Sequence, residues 1–190
     1  MRIKVTCLIV FIACVLASAT ASAATTVFIR LKPYNAPYMT TETQAGGKPG
    51  WQQVEDFNFN IEQTLNIGSQ STGAGAGKVM FNPLSISIAP SSLDPNFFSL
   101  ACAGTPFEQV DLMIMNGNAV VQLLHYKLVA IKTMGWMLDS TTHNLKMVYT
   151  FEYGGLQMVT PSATPAKKAF NAGWNRVRNV SDPPPHEPLP

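Results

Sequence analysis

Patterned sequence begins at Val27, where Val27, Ile29 and Leu31 alternate with Phe28, Arg30 and Lys32. A period of two marks a strand with two unlike faces, so 27–32 is predicted as the first strand. Residues 33–49 read as a loop, interrupted by Pro33, Pro37, Pro49 and the Gly46-Gly47 pair. Alternation resumes from Trp51 to about Leu65, with Phe57, Phe59 and Ile61 set against Asp56, Asn58, Asn60 and Glu62. That predicts one long strand with the Phe57 and Phe59 face in the core. A loop over 66–77 leads to a third strand, 78–88, where Leu84, Ile86 and Ile88 alternate with Ser85 and Ser87 and Pro83 marks a bulge or an edge. One helical pattern follows. Asp94 suits an N-cap, Pro95 the first turn and Gly104 the C-terminal cap. Phe97, Phe98, Leu100, Ala101 and Cys102 supply the face expected to be buried. Val110, Leu112 and Ile114 then alternate with Asp111 and Met113, and Asn116-Gly117 signals a type I′ hairpin turn before a return strand over 120–132. The last strand is 145–153. Six or seven strands, one short helix and frequent turn signals predict an all-β fold, a small barrel or sandwich.

The two ends of the chain change the picture. Arg2 and Lys4, an apolar run from Val5 to Leu16 and the small residues Ala21-Ser22-Ala23 have the form of a secretory signal peptide cleaved after Ala23. The apolar run is shorter than the roughly 20 residues a spanning helix needs, so no membrane association is expected after cleavage. The organisation read from the sequence is a signal over 1–23, a β domain over 24–160 and a tail over 161–190 whose end is rich in proline. Arg2 and Lys4 account for the whole formal charge of +2. The mature chain is neutral, which excludes a basic surface of the kind that coats nucleic acid. Cys7 and Cys14 leave with the signal, so Cys102 stands alone and no internal disulfide forms.

Candidate chemistry is sparse. Gly73-Ala74-Gly75-Ala76-Gly77-Lys78 resembles a phosphate loop only superficially. Thr72 stands where the first glycine should be and Val79 where Ser or Thr must reach magnesium. His125, His143 and His186 lie in separate elements with no metal-ligand spacing. Glu55 and Asp56 are strand neighbours, expected to point to opposite sides as solvated charges. Cys102 is expected to be a buried, inert thiol. Asn179-Val180-Ser181 is a formal glycosylation sequon, too short to carry weight. No nucleophile elbow occurs. These residues predict a non-catalytic protein without cofactor or metal.

Several segments, in order, resemble the Hcp family, the haemolysin-coregulated proteins of the inner tube of bacterial type VI secretion systems. They are Val27-Phe28-Ile29-Arg30-Leu31, then WQQVEDFNFN from Trp51 to Asn60, then GAGAGKVMF over 73–81. Leu93-Asp94-Pro95-Asn96-Phe97-Phe98 with Ala101-Cys102-Ala103-Gly104, the closing VYTFEY over 148–153, and GWNRVRNV over 173–180 complete the set. The resemblance implies a compact β-barrel of two antiparallel sheets with one short helix. It further implies a structural subunit of hexameric rings that stack into a tube, with effectors in the lumen and secretion-machine proteins as partners. The polar face Asp56, Asn58 and Asn60 is then the candidate lumen-facing surface. Two departures matter, the first for loop-mediated stacking of rings and the second for where the chain assembles. Residues 35–42 replace the family's G-E-S segment, and a signal peptide sends the chain across a membrane before assembly. A second expectation is therefore an exported periplasmic or extracellular Hcp-like binding protein that joins no contractile machine.

Overall fold

The computed structural model describes residues 24–40, 49–64, 79–162 and 169–183. The segment read as a signal, 1–23, the glycine cluster before Val79 and the proline-rich end lie outside these residues. Eleven strands and one helix run through the described part. They are β1 (Thr25–Pro33), β2 (Gln52–Val54), β3 (Asp56–Asn58), β4 (Ile61–Gln63), β5 (Val79–Phe81), β6 (Leu84–Ile88), α1 (Asp94–Ala103), β7 (Phe107–Asn116), β8 (Ala119–Leu138), β9 (Leu145–Thr160), β10 (Phe170–Asn175) and β11 (Val180–Ser181).

The long β8–β9 hairpin organises the fold. Near its open end β8 pairs with β7, which pairs with β1 and then β2; β9 there pairs with β10 and then β11. Nearer the turn, β9 exchanges its partner for β6, which pairs with β3. One hairpin thus serves both halves of the sheet. The change of direction is built into β8. Leu128 takes a left-handed φ of 51°, and a register shift falls between Ile131 and Thr133, the local irregularity that bends and twists a strand. β4 and β5 form a separate two-stranded ribbon.

Three corrections to the sequence reading follow. The strands form two sheets that are not closed into a barrel. The segment predicted as a single strand over 51–65 is three short strands, because each finds a different partner: β2 pairs with β1, β3 with β6 and β4 with β5. The body also extends past residue 160, since β10 and β11, within the segment assigned to the tail, complete one edge of the main sheet.

The main core lies between the two halves. Ile29, Leu31, Leu84, Ile86, Ile88, Val110, Leu112, Tyr126, Tyr149 and Phe151 fill it. α1 closes one side. Phe97 is fully buried, its ring edge-on to Tyr149 at 4.7 Å and to Phe107 at 6.0 Å. Leu93 takes the N-cap position in place of Asp94. Asp94 instead accepts the Ser91 N–H (2.9 Å) and the Tyr149 hydroxyl (2.7 Å), fixing the start of the helix to β9. Gly104 ends it at φ 62°, where glycine carries no Cβ penalty. Phe98 and Cys102 are exposed, which corrects their expected burial. The sheet supports only the stripe Leu93, Phe97 and Leu100, and the two residues lie beside it.

A second, smaller core covers the opposite face of the main sheet and contains Phe28, Trp51, Met113, Met115, Leu123 and Val159. β1 is therefore buried on both faces. The β7–β8 turn also differs from the I′ expectation. Gly117-Asn118 form the two-residue loop, and only Gly117 (φ 57°) is left-handed, as in hairpin turns with glycine first.

Candidate functional site

Asp56, Asn58 and Asn60 are all exposed. Asp56 pairs with Ser87 and Asn58 with Ser85, and the rows continue through Val148 and Thr150 of β9 to Gly135 and Thr133 of β8. Residues opposite one another in a sheet share a face. The outer face of this half carries Asp56, Asn58, Ser85, Thr133 and Thr150, with Ser87 buried and Val148 its apolar member. Asn60 belongs elsewhere. It joins Glu62 at 3.0 Å and Asn82 at 2.9 Å beside the β4–β5 ribbon.

The Phe57 and Phe59 face divides. Phe59 packs edge-on against Tyr126 (5.7 Å) and Tyr153 (6.1 Å). Phe57 is 39% exposed, a correction to its core assignment. It faces inward beside Ile86, but β3 is the outer strand of its sheet, and among the described residues no further strand pairs with it.

Glu55 and Asp56 converge where opposite directions were expected. The chain breaks at Glu55 between β2 and β3. Lys146 Nζ then lies 3.1 Å from Glu55, 3.9 Å from Asp56 and 3.1 Å from Asp139. Hydrogen bonds to Glu55 and Asp139 raise the Lys146 pKa. The Thr142 and Thr141 N–H groups, followed by Lys146, hold Asp139 well below the usual carboxylate range. This cluster ties the β8–β9 turn to β3.

The most connected polar site is on the other face of the main sheet, and it was not singled out from the sequence. Asp111 is completely buried. Arg30 Nε donates to it at 2.8 Å, the Tyr38 hydroxyl at 2.9 Å, and His125 Nδ1 lies 2.7 Å away. Gln109 Nε2 also reaches Asp111, and Lys127 donates to Gln109. The Arg30 guanidinium lies over the rings of Tyr38 (4.0 Å) and Trp51 (4.8 Å). Register creates the site: Arg30 is opposite Asp111, and Asp111 opposite His125. Burial alone would push the Asp111 carboxyl up. The His125 hydrogen bond and charge and the Arg30 guanidinium outweigh it and hold the carboxyl below its ordinary value. Burial and the nearby carboxylate push the Tyr38 phenol up to about 12. The signal in the sequence is the run of polar alternates Arg30, Asp111 and His125, which pairing brings together. Their bonds secure the 34–40 loop on the sheet. No nucleophile completes the Asp111–His125 pair among the residues that contact it.

His143 is exposed at a left-handed position (φ 57°) in the β8–β9 turn, and its N–H donates to Asp139 O at 2.8 Å. His186 lies outside the described residues. Among those residues no group of three or more His, Cys, Asp and Glu is placed to hold a metal. No described helix is long and apolar enough to cross a membrane. Trp136, Met137, Leu138 and Leu145 leave apolar surface exposed at the end of the β8–β9 hairpin. A cavity of about 630 Å³ opens between the β4–β5 ribbon and the β10–β11 hairpin.

A two-sheet β protein with one short helix among the described residues is the class this architecture defines. The family model described as type VI secretion system effector, Hcp, matches residues 34–158, more than half the chain. The chain belongs to that family. Solved structures share the fold at low identity. Hcp1 from Salmonella typhimurium matches with a TM-score of 0.64 at 14% identity, covering 84% of this chain and 99% of that one. A type VI secretion system effector from Yersinia pestis matches with a TM-score of 0.61 at 13% identity, covering 78% and 98%. The secreted protein Hcp3 from Pseudomonas aeruginosa matches with a TM-score of 0.56 at 11% identity, covering 87% and 100%. No curated protein matches the chain.

Proposed function

We propose that the chain is a structural subunit of a type VI secretion tube, assembling with copies of itself into rings of about six subunits by one repeated heterologous contact. Family membership over 34–158 is the observation that carries this reading. The two outer faces support an assignment of the lumen. One face of the main sheet is covered by the Phe28, Trp51 and Met113 core and by Tyr38. The face bearing Asp56, Asn58, Ser85, Thr133 and Thr150 is open and polar. It would line the channel and meet effector cargo, with Asn60 at its rim. Stacked rings and machine proteins are the partners in this reading, and no cofactor or catalysis enters it.

The pattern of residues 1–23 favours a second reading, an exported Hcp-like protein in the periplasm or medium that binds a partner there without a contractile machine. Two measurements separate the alternatives. Light scattering and negative-stain microscopy of the purified chain give a ring of about six subunits if subunits assemble; a clean monomer at high concentration overturns the tube. N-terminal sequencing of the native protein gives a start at Ala24 if the signal is cleaved. Export that persists after deletion of the secretion apparatus then establishes the second reading over the first.

A further inference from the structure

The cavity between the β4–β5 ribbon and the β10–β11 hairpin has no part in the tube proposal. Val79, Met80, Phe81 and Asn82 form one wall and Trp174, Arg176 and Asn179 the other. Its volume of about 630 Å³ is within the range of small-molecule sites, about 300–1,000 Å³.

The lining offers a specific set of groups. Trp174 is 37% exposed on strand β10, so part of its indole ring is open to solvent. Val79 and Met80 add exposed apolar surface opposite. Asn82 Nδ2 is committed to Asn60 Oδ1 (2.9 Å) and Glu62 Oε1 (2.7 Å), which leaves its Oδ1 as an acceptor. Arg176 Nη1 donates to Tyr153 O at 2.6 Å, and its guanidinium lies 5.5 Å from the Phe81 ring centre. Its Nε and Nη2 retain donor capacity. Asn179 sits exposed at the turn with a left-handed φ of 56°, and its amide both donates and accepts.

Charge narrows the ligand class. Glu152 lies 3.7 Å from Arg176 and Glu62 bonds Asn82, so the site has no excess positive charge to hold a phosphate or a carboxylate. A proline-rich peptide offers mainly acceptors, because proline has no N–H, and it would leave Asn82 Oδ1 unpaired at a cost. A sugar ring meets every group. One face of a pyranose is apolar and suits an indole, while its hydroxyls donate and accept together. An acetamido substituent adds a donor, an acceptor and a methyl group for the Val79 and Met80 wall.

The geometry points to a binding site for a neutral oligosaccharide of N-acetylated pyranose units in this cavity, with Trp174 as the stacking platform and Asn82, Arg176 and Asn179 as the polar contacts. All seven of these lining residues belong to one chain.

The test is isothermal calorimetry of the purified chain with tri-N-acetylchitotriose, supported by the indole N–H resonance of Trp174. Saturable binding that shifts this resonance is expected. Trp174→Ala weakens it by about tenfold, the scale of one lost aromatic contact. Asn179→Gly, which suits the left-handed backbone, weakens it several-fold without disturbing the fold. Phe170→Ala, on the same strand outside the cavity, leaves it unchanged. Cellotriose, lacking the acetamido groups, binds less tightly. Absence of heat and of any Trp174 shift at millimolar sugar overturns the proposal. Full affinity in both Trp174→Ala and Asn179→Gly does so too, as does displacement of the shift only by a peptide of residues 183–190.

Discussion

Replacing Asp111 by asparagine tests how the 34–40 loop is held to the main sheet. The substitution keeps the shape but removes the charge and turns one acceptor oxygen into a donor. Oδ2 accepts Arg30 and Tyr38, and Oδ1 faces His125 and Gln109. Whichever way the amide turns, its NH2 faces an N–H donor, Arg30 Nε on one side or Gln109 Nε2 on the other. Removing one member of a buried ion pair costs about 3–5 kcal/mol. Arg30 and His125 retain some access to water, with side chains 25% and 18% exposed, so the low end applies, about 3 kcal/mol. In urea that moves the midpoint down by about 1–2 M at a typical slope for a domain of this size.

The pH dependence supplies a second readout. The folded Asp111 pKa lies below its unfolded value, so its stabilisation is fully present above the unfolded value and is lost as pH falls through the folded one. Wild type should exceed Asp111→Asn throughout about pH 5 to 7, and the gap should shrink below about pH 4. The Tyr38 phenol should also titrate lower in the variant, since the carboxylate is one cause of its raised pKa. A difference under about 0.5 kcal/mol at pH 7, or a gap that fails to shrink below about pH 4, refutes the reasoning.

Phe59→Asp should lower stability by about 2–4 kcal/mol through lost contact with Tyr126 and Tyr153 and a poorly solvated charge, whereas Phe57→Asp should cost under about 1 kcal/mol at its open edge; equal shifts in thermal melts contradict the split between them. Gly173→Ala places a Cβ 2.0 Å from the Asp182 carbonyl oxygen. β11 should separate from β10, and the Asp182 amide, bonded to Gly173 O at 2.9 Å, should lose hydrogen-exchange protection; full protection would show that the close approach is absent. Phe97→Ala should cost about 3–5 kcal/mol in urea unfolding, and a cost near zero would mean that α1 does not seal the core.

What the sequence revealed was local, and what it hid was pairing. β1, α1 and the β7–β8 hairpin are legible because one period or one cap defines each. The Trp51–Leu65 alternation is equally clear, yet it conceals two breaks. Period two gives the direction of side chains but not the partner of each segment, and here three partners divide the run. Phe57 fails for the same reason: its inward direction is right, but the strand that carries it is an edge. In α1 the apolar residues outnumber what one face can bury. Leu93, Phe97 and Leu100 lie along the supported stripe, and Phe98 and Cys102 do not. β10 was missed because six residues between lysines and prolines gain strand character only by pairing with β9.

The polar sites carry the same lesson into function. Arg30, Asp111 and His125 are unremarkable in three separate strands, and become one buried network only when register aligns them. That network and the adjoining apolar row occupy one outer face of the main sheet and hold Tyr38 and Trp51 against it. The opposite arrangement holds on the β3–β6–β9–β8 face, where Asn58, Ser85, Thr150 and Thr133 form a row with no apolar residue in it. A wall that cargo must slide along should not hold it by desolvated apolar contact. If one face of this subunit borders a channel, the row through Asn58 satisfies that requirement, and the face sealed by Phe28, Met113 and Trp51 is already spent on folding.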